Sequence, residues 1–162
     1  MSPTNVQHAI NIVARAQHLD MCNWQHGRTW NGLTPCVIDE SELKTCGTAA
    51  CVGGHIAVSP EWKEAGGFAS RSTGAPFRYA HIKGEERCQR GVQAIAHWLH
   101  LSEDLVNNLL LGHNPKEVGL YVSTIFCLNA ENYSEFYGKL FGDVTKEDVL
   151  IKLKLIQVGE LK

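Results

Sequence analysis

The chain has 162 residues, 44% hydrophobic and 20% charged, which is enough for one domain with its own core and argues against a disordered chain. Its net charge of −2 excludes a general electrostatic attraction to nucleic acid or to an anionic membrane. No apolar stretch approaches the length of a membrane span, so no membrane partner is expected.

The first predicted element is a helix capped by Thr4 or Asn5 and running to about His18, with Val6, Ile10 and Val13 on its apolar face. Residues 20–45 break any long period. Trp24, Gly27, Trp30, Gly32, Pro35 and Cys36 mark a long connection, of the kind that either packs on its own side chains or carries function.

Cys46-Gly47-Thr48-Ala49-Ala50-Cys51-Val52-Gly53-Gly54-His55 follows, and the chain is expected to be organised around it. Thr48 has the chemistry of an N-cap, and residues 49–58 read as a helix of small residues. Ala50, Gly53, Gly54 and Ala57 share a face at three- and four-residue spacing. Two helical glycines cost about 1 kcal/mol each against alanine, so close approach of a neighbouring backbone should offset them. Thr48, Gly53 and Gly54 are therefore structural candidates.

The same run carries chemistry. Cys46 precedes the predicted helix start, where the helix dipole lowers a thiol pKa, so it is a candidate nucleophile. His26, His55, His97 and His113 are the candidate bases, with nothing in the sequence to choose between them. Cys51 and His55 stand at i and i+4 and could share a metal. The zinc-ligand pool is Cys22, His26, Cys36, Cys46, Cys51 and His55, but the two close pairs of a zinc knuckle are missing, and no bound zinc is expected.

Further on, Ser59-Pro60-Glu61 reads as an N-cap with proline at the first helical position, and Gly66-Gly67 ends that short helix. Residues 68–84 read as a second irregular region, in which 77–82 alternates weakly enough for an edge strand. A helical pattern is expected from Glu85, with Cys88, Val92, Ile95, Ala96 and Leu99 as its core stripe. Ser102 starts the next helix and Gly112 closes it. Asn114-Pro115-Lys116 turns into a helix holding Val118, Val122, Ile125 and Phe126. Tyr133, Phe136, Tyr137 and Leu140 read as a short amphipathic piece, and Thr145 with Asp148 as the capping box of a last helix closed by Gly159. The expected architecture is mainly α, a single-domain helical bundle over residues 1–162, with two irregular insertions and room for a small β-hairpin.

The run from Cys46 to His55 resembles the signature of a group of small proteins of bacteriophages and bacteria that carry Cys-Gly-Thr, a small residue and cysteine, then glycine and usually tryptophan. Leu19-Asp20-Met21 with Trp24, residues 96–111, and Thr145-Lys146-Glu147-Asp148 extend the likeness over much of the chain. The group has no established activity, so the resemblance implies an origin and no mechanism. His55 stands where the group usually has tryptophan, so a Cys51–His55 pair is not implied as its shared chemistry.

Five of the six cysteines, Cys22, Cys36, Cys46, Cys51 and Cys88, lie in the first 88 residues. Residues 1–13 lack a basic start and a continuous apolar run, so a reducing cytoplasm is expected, that of a bacterial host for a phage-encoded chain. Phosphate-binding glycine loops, paired catalytic carboxylates and a His-Glu-x-x-His motif are absent from the sequence. The two irregular regions hold Trp24, Trp30, Phe68, Arg71, Phe77, Arg78 and Tyr79, residue types that dominate interface energies. Lys63, Arg71, Arg78, Lys83, Arg87 and Arg90 form a basic stretch interleaved with Glu61, Glu64, Glu85 and Glu86. The expected function is stoichiometric binding to a host macromolecule, a protein in the first instance. A zinc-stabilised cysteine/histidine module and a Cys46-dependent enzyme are the alternatives. Oligomeric state is not legible.

Overall fold

The computed structural model describes residues 3–19, 21, 50–70, 76–82, 85–111, 131 and 133–161. Helix α1 (Pro3–Arg15) buries Val6, Ala9, Ile10, Ile12 and Val13, so its apolar face is wider than the expected three-residue stripe. It ends earlier than predicted, and Asn5 sits inside it, donating from Nδ2 to the Trp98 carbonyl at 2.6 Å.

Helix α2 (Val52–Val58) is buried at every residue. Its N-cap position is Cys51, not Thr48, and the Cys51 side chain makes no capping hydrogen bond. Ser59 then caps α3 (Pro60–Glu64), accepting from the Trp62 amide at 3.2 Å, with Pro60 at the first position as expected. Three strands follow: β1 (Gly67–Ala69), β2 (Pro76–Ile82) and β3 (Glu85–Arg90), antiparallel and in spatial order β1-β2-β3. Helices α4 (Gly91–Leu99) and α5 (Glu103–Leu111) come next. A small ladder of β4 (Tyr133–Ser134) and β5 (Lys139–Leu140) leads through a 3-10 turn (Phe141–Asp143) to α6 (Lys146–Gln157).

The expected helical bundle is therefore wrong: the described residues form a mixed α/β structure, in which a three-stranded antiparallel sheet and a two-stranded ladder accompany six helices. Three local expectations fail with it. Residues 85–90 are a strand, not the start of a helix, and pair with β2 along its length, Ile82 opposite Glu85 through Phe77 opposite Arg90. Gly91 at φ +56° turns the chain from β3 into α4, so the helical stripe begins at Val92 and Cys88 is exposed. Residues 77–82 belong to the central strand, not an edge. Residues 133–140 form a hairpin in which the Gly138 amide donates to the Ser134 carbonyl at 2.7 Å and Ser134 Oγ accepts from the Tyr137 amide.

One apolar core joins α1, α2, α4, α5 and α6 around Trp62, Trp98, Ile56, Ile95, Leu109 and Leu153. Trp62 and Trp98 meet edge to face with centroids 5.4 Å apart, a favoured aromatic geometry. Beside it, Ala50, Ala57, Val58 and Ala69 form a small cluster of small side chains, which brings α2 close to the sheet. Helix α6 packs along α1, and its first residue, Lys146, reaches the Ala14 and Ala16 carbonyls at the negative end of α1. Arg15 grips Glu61 through two bonds of 2.8 and 2.7 Å, tying α1 to α3. That guanidinium holds the Glu61 carboxyl below the usual carboxylate range, against the opposing pull of burial.

Candidate functional site

The pleat sends alternate residues of a strand to opposite faces, and residues paired across strands share a face. Gly67, Arg78 and Gln89 are thus one row of the sheet, and Phe68, Phe77 and Arg90 the next. Gly67, Ala69, Pro76 and Gln89 are buried, where the sheet packs on α2, α3 and α4. The opposite face looks outward. There Phe68 is 39% exposed and Tyr79 55%, Cys88 lies directly across from Tyr79, and Arg90 directly across from Phe77.

The rings of that face form one stack. Phe68 lies 5.7 Å from Phe77 at an interplanar angle of 28°, and 5.8 Å from Tyr79 at 29°. The Arg90 guanidinium sits over the Phe77 ring at 6.0 Å from its centroid. Trp62 fixes the register beneath. Its indole N–H points to the Phe68 carbonyl at 3.4 Å, and its ring occupies the space that a side chain at Gly67 would need. Arg78, in the inward row with Gly67 and Gln89, donates from Nε to the Ala65 carbonyl at 2.9 Å, which pins the α3–β1 turn to β2. Burial first, then the charges of Arg78 and His100, hold His97 below the ordinary histidine range.

The expected thiol and metal chemistry meets a different environment. His55 is 6% exposed, and its Nε2 stands 2.8 Å from the His18 carbonyl oxygen. A carbonyl only accepts, so Nε2 carries the proton and is not available as a base or ligand in this arrangement. Cys51 is 4% exposed at the start of α2. Among the described residues no group of three or more His, Cys, Asp or Glu is arranged to hold a metal ion. Cys22, Cys46, Thr48, Trp24, Trp30 and Arg71 lie outside the described residues, as do Cys36, His26 and His113. Gly53 and Gly54 are buried inside α2.

Of the expected binding residues, Tyr79 lies on the outward face and Arg78 is committed to the turn below it. Phe68 and Phe77, expected beside them among the aromatics of the irregular regions, are members of the stack. Cys88 is a surface residue of β3 and not part of the expected core stripe, and Arg90 of the expected basic stretch lies over Phe77. The alternation Phe77-x-Tyr79 against Cys88-x-Arg90 is the signal that locates them.

No protein-family model matches this chain, and neither a curated protein nor a solved structure matches it. Among the described residues no helix is long and apolar enough to cross a membrane.

Proposed function

We propose that this chain acts by stoichiometric association with a macromolecule, a protein of a bacterial host, through the outward face of the three-stranded sheet. The observation that supports this reading is the stack of exposed Phe68 and Tyr79 with half-buried Phe77, and Arg90 laid over Phe77. An exposed apolar cluster with an arginine at its rim has the composition of an interface hot spot. The likeness of the Cys46–His55 run to small phage and bacterial proteins supports the bacterial cytoplasm as the compartment.

The experiment is affinity capture from a bacterial lysate with the wild-type chain and with Tyr79→Ala, followed by light scattering on the purified complex. One partner at one-to-one ratio, retained by the wild type and lost by a folded Tyr79→Ala, is expected. A partner that Tyr79→Ala holds as tightly as the wild type sinks the assignment to this face. Turnover of a substrate by the purified chain replaces the binding reading with an enzymatic one. Arg78→Ala is a poor substitute variant, because it also frees the Ala65 carbonyl.

A further inference from the structure

The charge along the chain is uneven. Residues 67–100 hold Arg71, Arg78, Lys83, Arg87 and Arg90 against Glu85 and Glu86, a net charge of +3 in a chain whose total is −2. In sequence the basic stretch looks neutralised by neighbouring carboxylates. The fold undoes part of that, because Glu61 is turned away to Arg15 and Glu64 sits on α3. By the pleat, Arg78 and Arg87 fall on the opposite face, so of the described cations in this stretch Arg90 is the one on the face of the stack. Arg90 and Phe77 form one cross-strand pair, Tyr79 and Cys88 the next on that face, and Glu86 lies a further pair along. Four residues of strand span about 14 Å, so Arg90 and Glu86 mark opposite ends of the face.

The ring geometry selects among negative partners. Nucleobases bind by stacking on open aromatic faces. Here Phe68 stacks on both Phe77 and Tyr79, and the Arg90 guanidinium lies over Phe77. These contacts take up ring faces that a stacking base would need. The exposed parts of Phe68 and Tyr79 offer apolar surface that suits aliphatic side chains. The guanidinium, held over Phe77, offers a carboxylate a pre-placed fork of donors, so less side-chain freedom is lost on binding than for a mobile lysine.

We infer that the outward face of the sheet docks an acidic segment of a partner protein, with a carboxylate at Arg90 and apolar side chains across Phe68 and Tyr79. This deepens, and rests on, the stoichiometric-binding reading. The segment should carry its acidic residues at one end only, because Glu86 repels them at the other.

The test is a selection of displayed random twelve-residue peptides on the full chain, with enriched sequences remade as fluorescent peptides for titration. Alkylation of Cys88, read by mass spectrometry, reports whether the face is covered. Peptides with an acidic residue beside apolar ones are expected to enrich and to protect Cys88. Arg90→Glu and Tyr79→Ala should each weaken them at least tenfold, while Arg90→Lys weakens them less. A labelled twenty-nucleotide oligothymidylate is titrated in parallel, and sedimentation follows self-association. Enrichment of basic or neutral peptides, no enrichment over Tyr79→Ala, or indifference to Arg90→Glu overturns the inference. Oligothymidylate that protects Cys88 makes the face a nucleic-acid surface, and self-association lost on Tyr79→Ala makes it a homodimer contact. Either result also overturns the acidic-segment assignment. A lysate partner that depends on Tyr79 while acidic peptides fail to enrich defeats this inference alone. If no lysate partner depends on Tyr79, the binding reading falls too.

Discussion

Gly67 shows how one residue decides the position of the candidate surface. A Cβ there would stand inside the Trp62 ring, and Trp62 is wholly buried against Trp98, so the ring has nowhere to retreat. Gly67→Ala is therefore expected to cost about 1–3 kcal/mol through overpacking, well beyond the ordinary price of a surface change. Denaturant melts check the stability, and the quenching of Trp62 and Trp98 fluorescence checks the displacement. An unchanged midpoint would show that β1 can lift off α3 freely and that the stack above it is not fixed from below. The same logic separates Arg78 from Arg90. Arg78 serves the Ala65 carbonyl and is part of the scaffold, while Arg90 is exposed over the half-buried Phe77 ring and belongs to the surface.

At the scale of elements, α6 depends on its first turn. Thr145 Oγ1 accepts from the Asp148 amide at 3.3 Å, and Asp148 Oδ2 accepts from the Thr145 amide and hydroxyl, each at 2.8 Å. Lys139 Nζ donates to the same oxygen at 2.8 Å, so the box also fastens β5 to α6. Burial alone would raise the Asp148 pKa, but the bonds from Lys139 and Thr145 outweigh it and hold the carboxyl below its ordinary range. A folded-state pKa below the unfolded one means the folded chain favours the ionised form. The contribution is then complete above the unfolded value of about 3.9 and is lost as pH falls through the lower folded value. Asp148→Asn should thus lower the melting temperature at pH 7, with a cost on the order of 0.5–2 kcal/mol for the cap. It should also make the fall between pH 5 and pH 2 shallower than in the wild type. Circular dichroism melts across that range decide it, and parallel curves would mean the box is not ionised in the fold. Glu61, also held low by Arg15, keeps some acid sensitivity in the variant.

Over the whole molecule, α2 sits where the apolar core meets the sheet. All seven of its residues are buried, and Ala57 and Val58 meet Ala69 of β1. Gly53→Leu would add four carbons to a fully buried position of this helix, and severe destabilisation is expected, on the order of 1–3 kcal/mol or more. Thermal melting near the wild-type temperature would show that α2 has slack on its glycine face.

Parts of this were legible in the sequence because they are decided within a few residues. Ser59 caps through the Trp62 amide, Ser102 through the Leu105 amide, and Thr145 pairs with Asp148, each over three positions. The small residues around Gly53 announced close packing, and α2 is indeed buried throughout. Strand partners lie outside any such window. Cys88 and Val92 have helical spacing, and only the pairing of Glu85–Arg90 with β2 makes the first a surface residue of a sheet and the second a core residue of a helix. Six residues are too few for a period of two to be told from one of 3.6. Pairing along β2 commits those backbone groups to the ladder, and Gly91 lets the helix begin after it. Phe68, Phe77 and Tyr79 are aromatic in the sequence. That they stack outward with Arg90 as one surface follows from cross-strand register, which hydrogen bonding between distant segments decides.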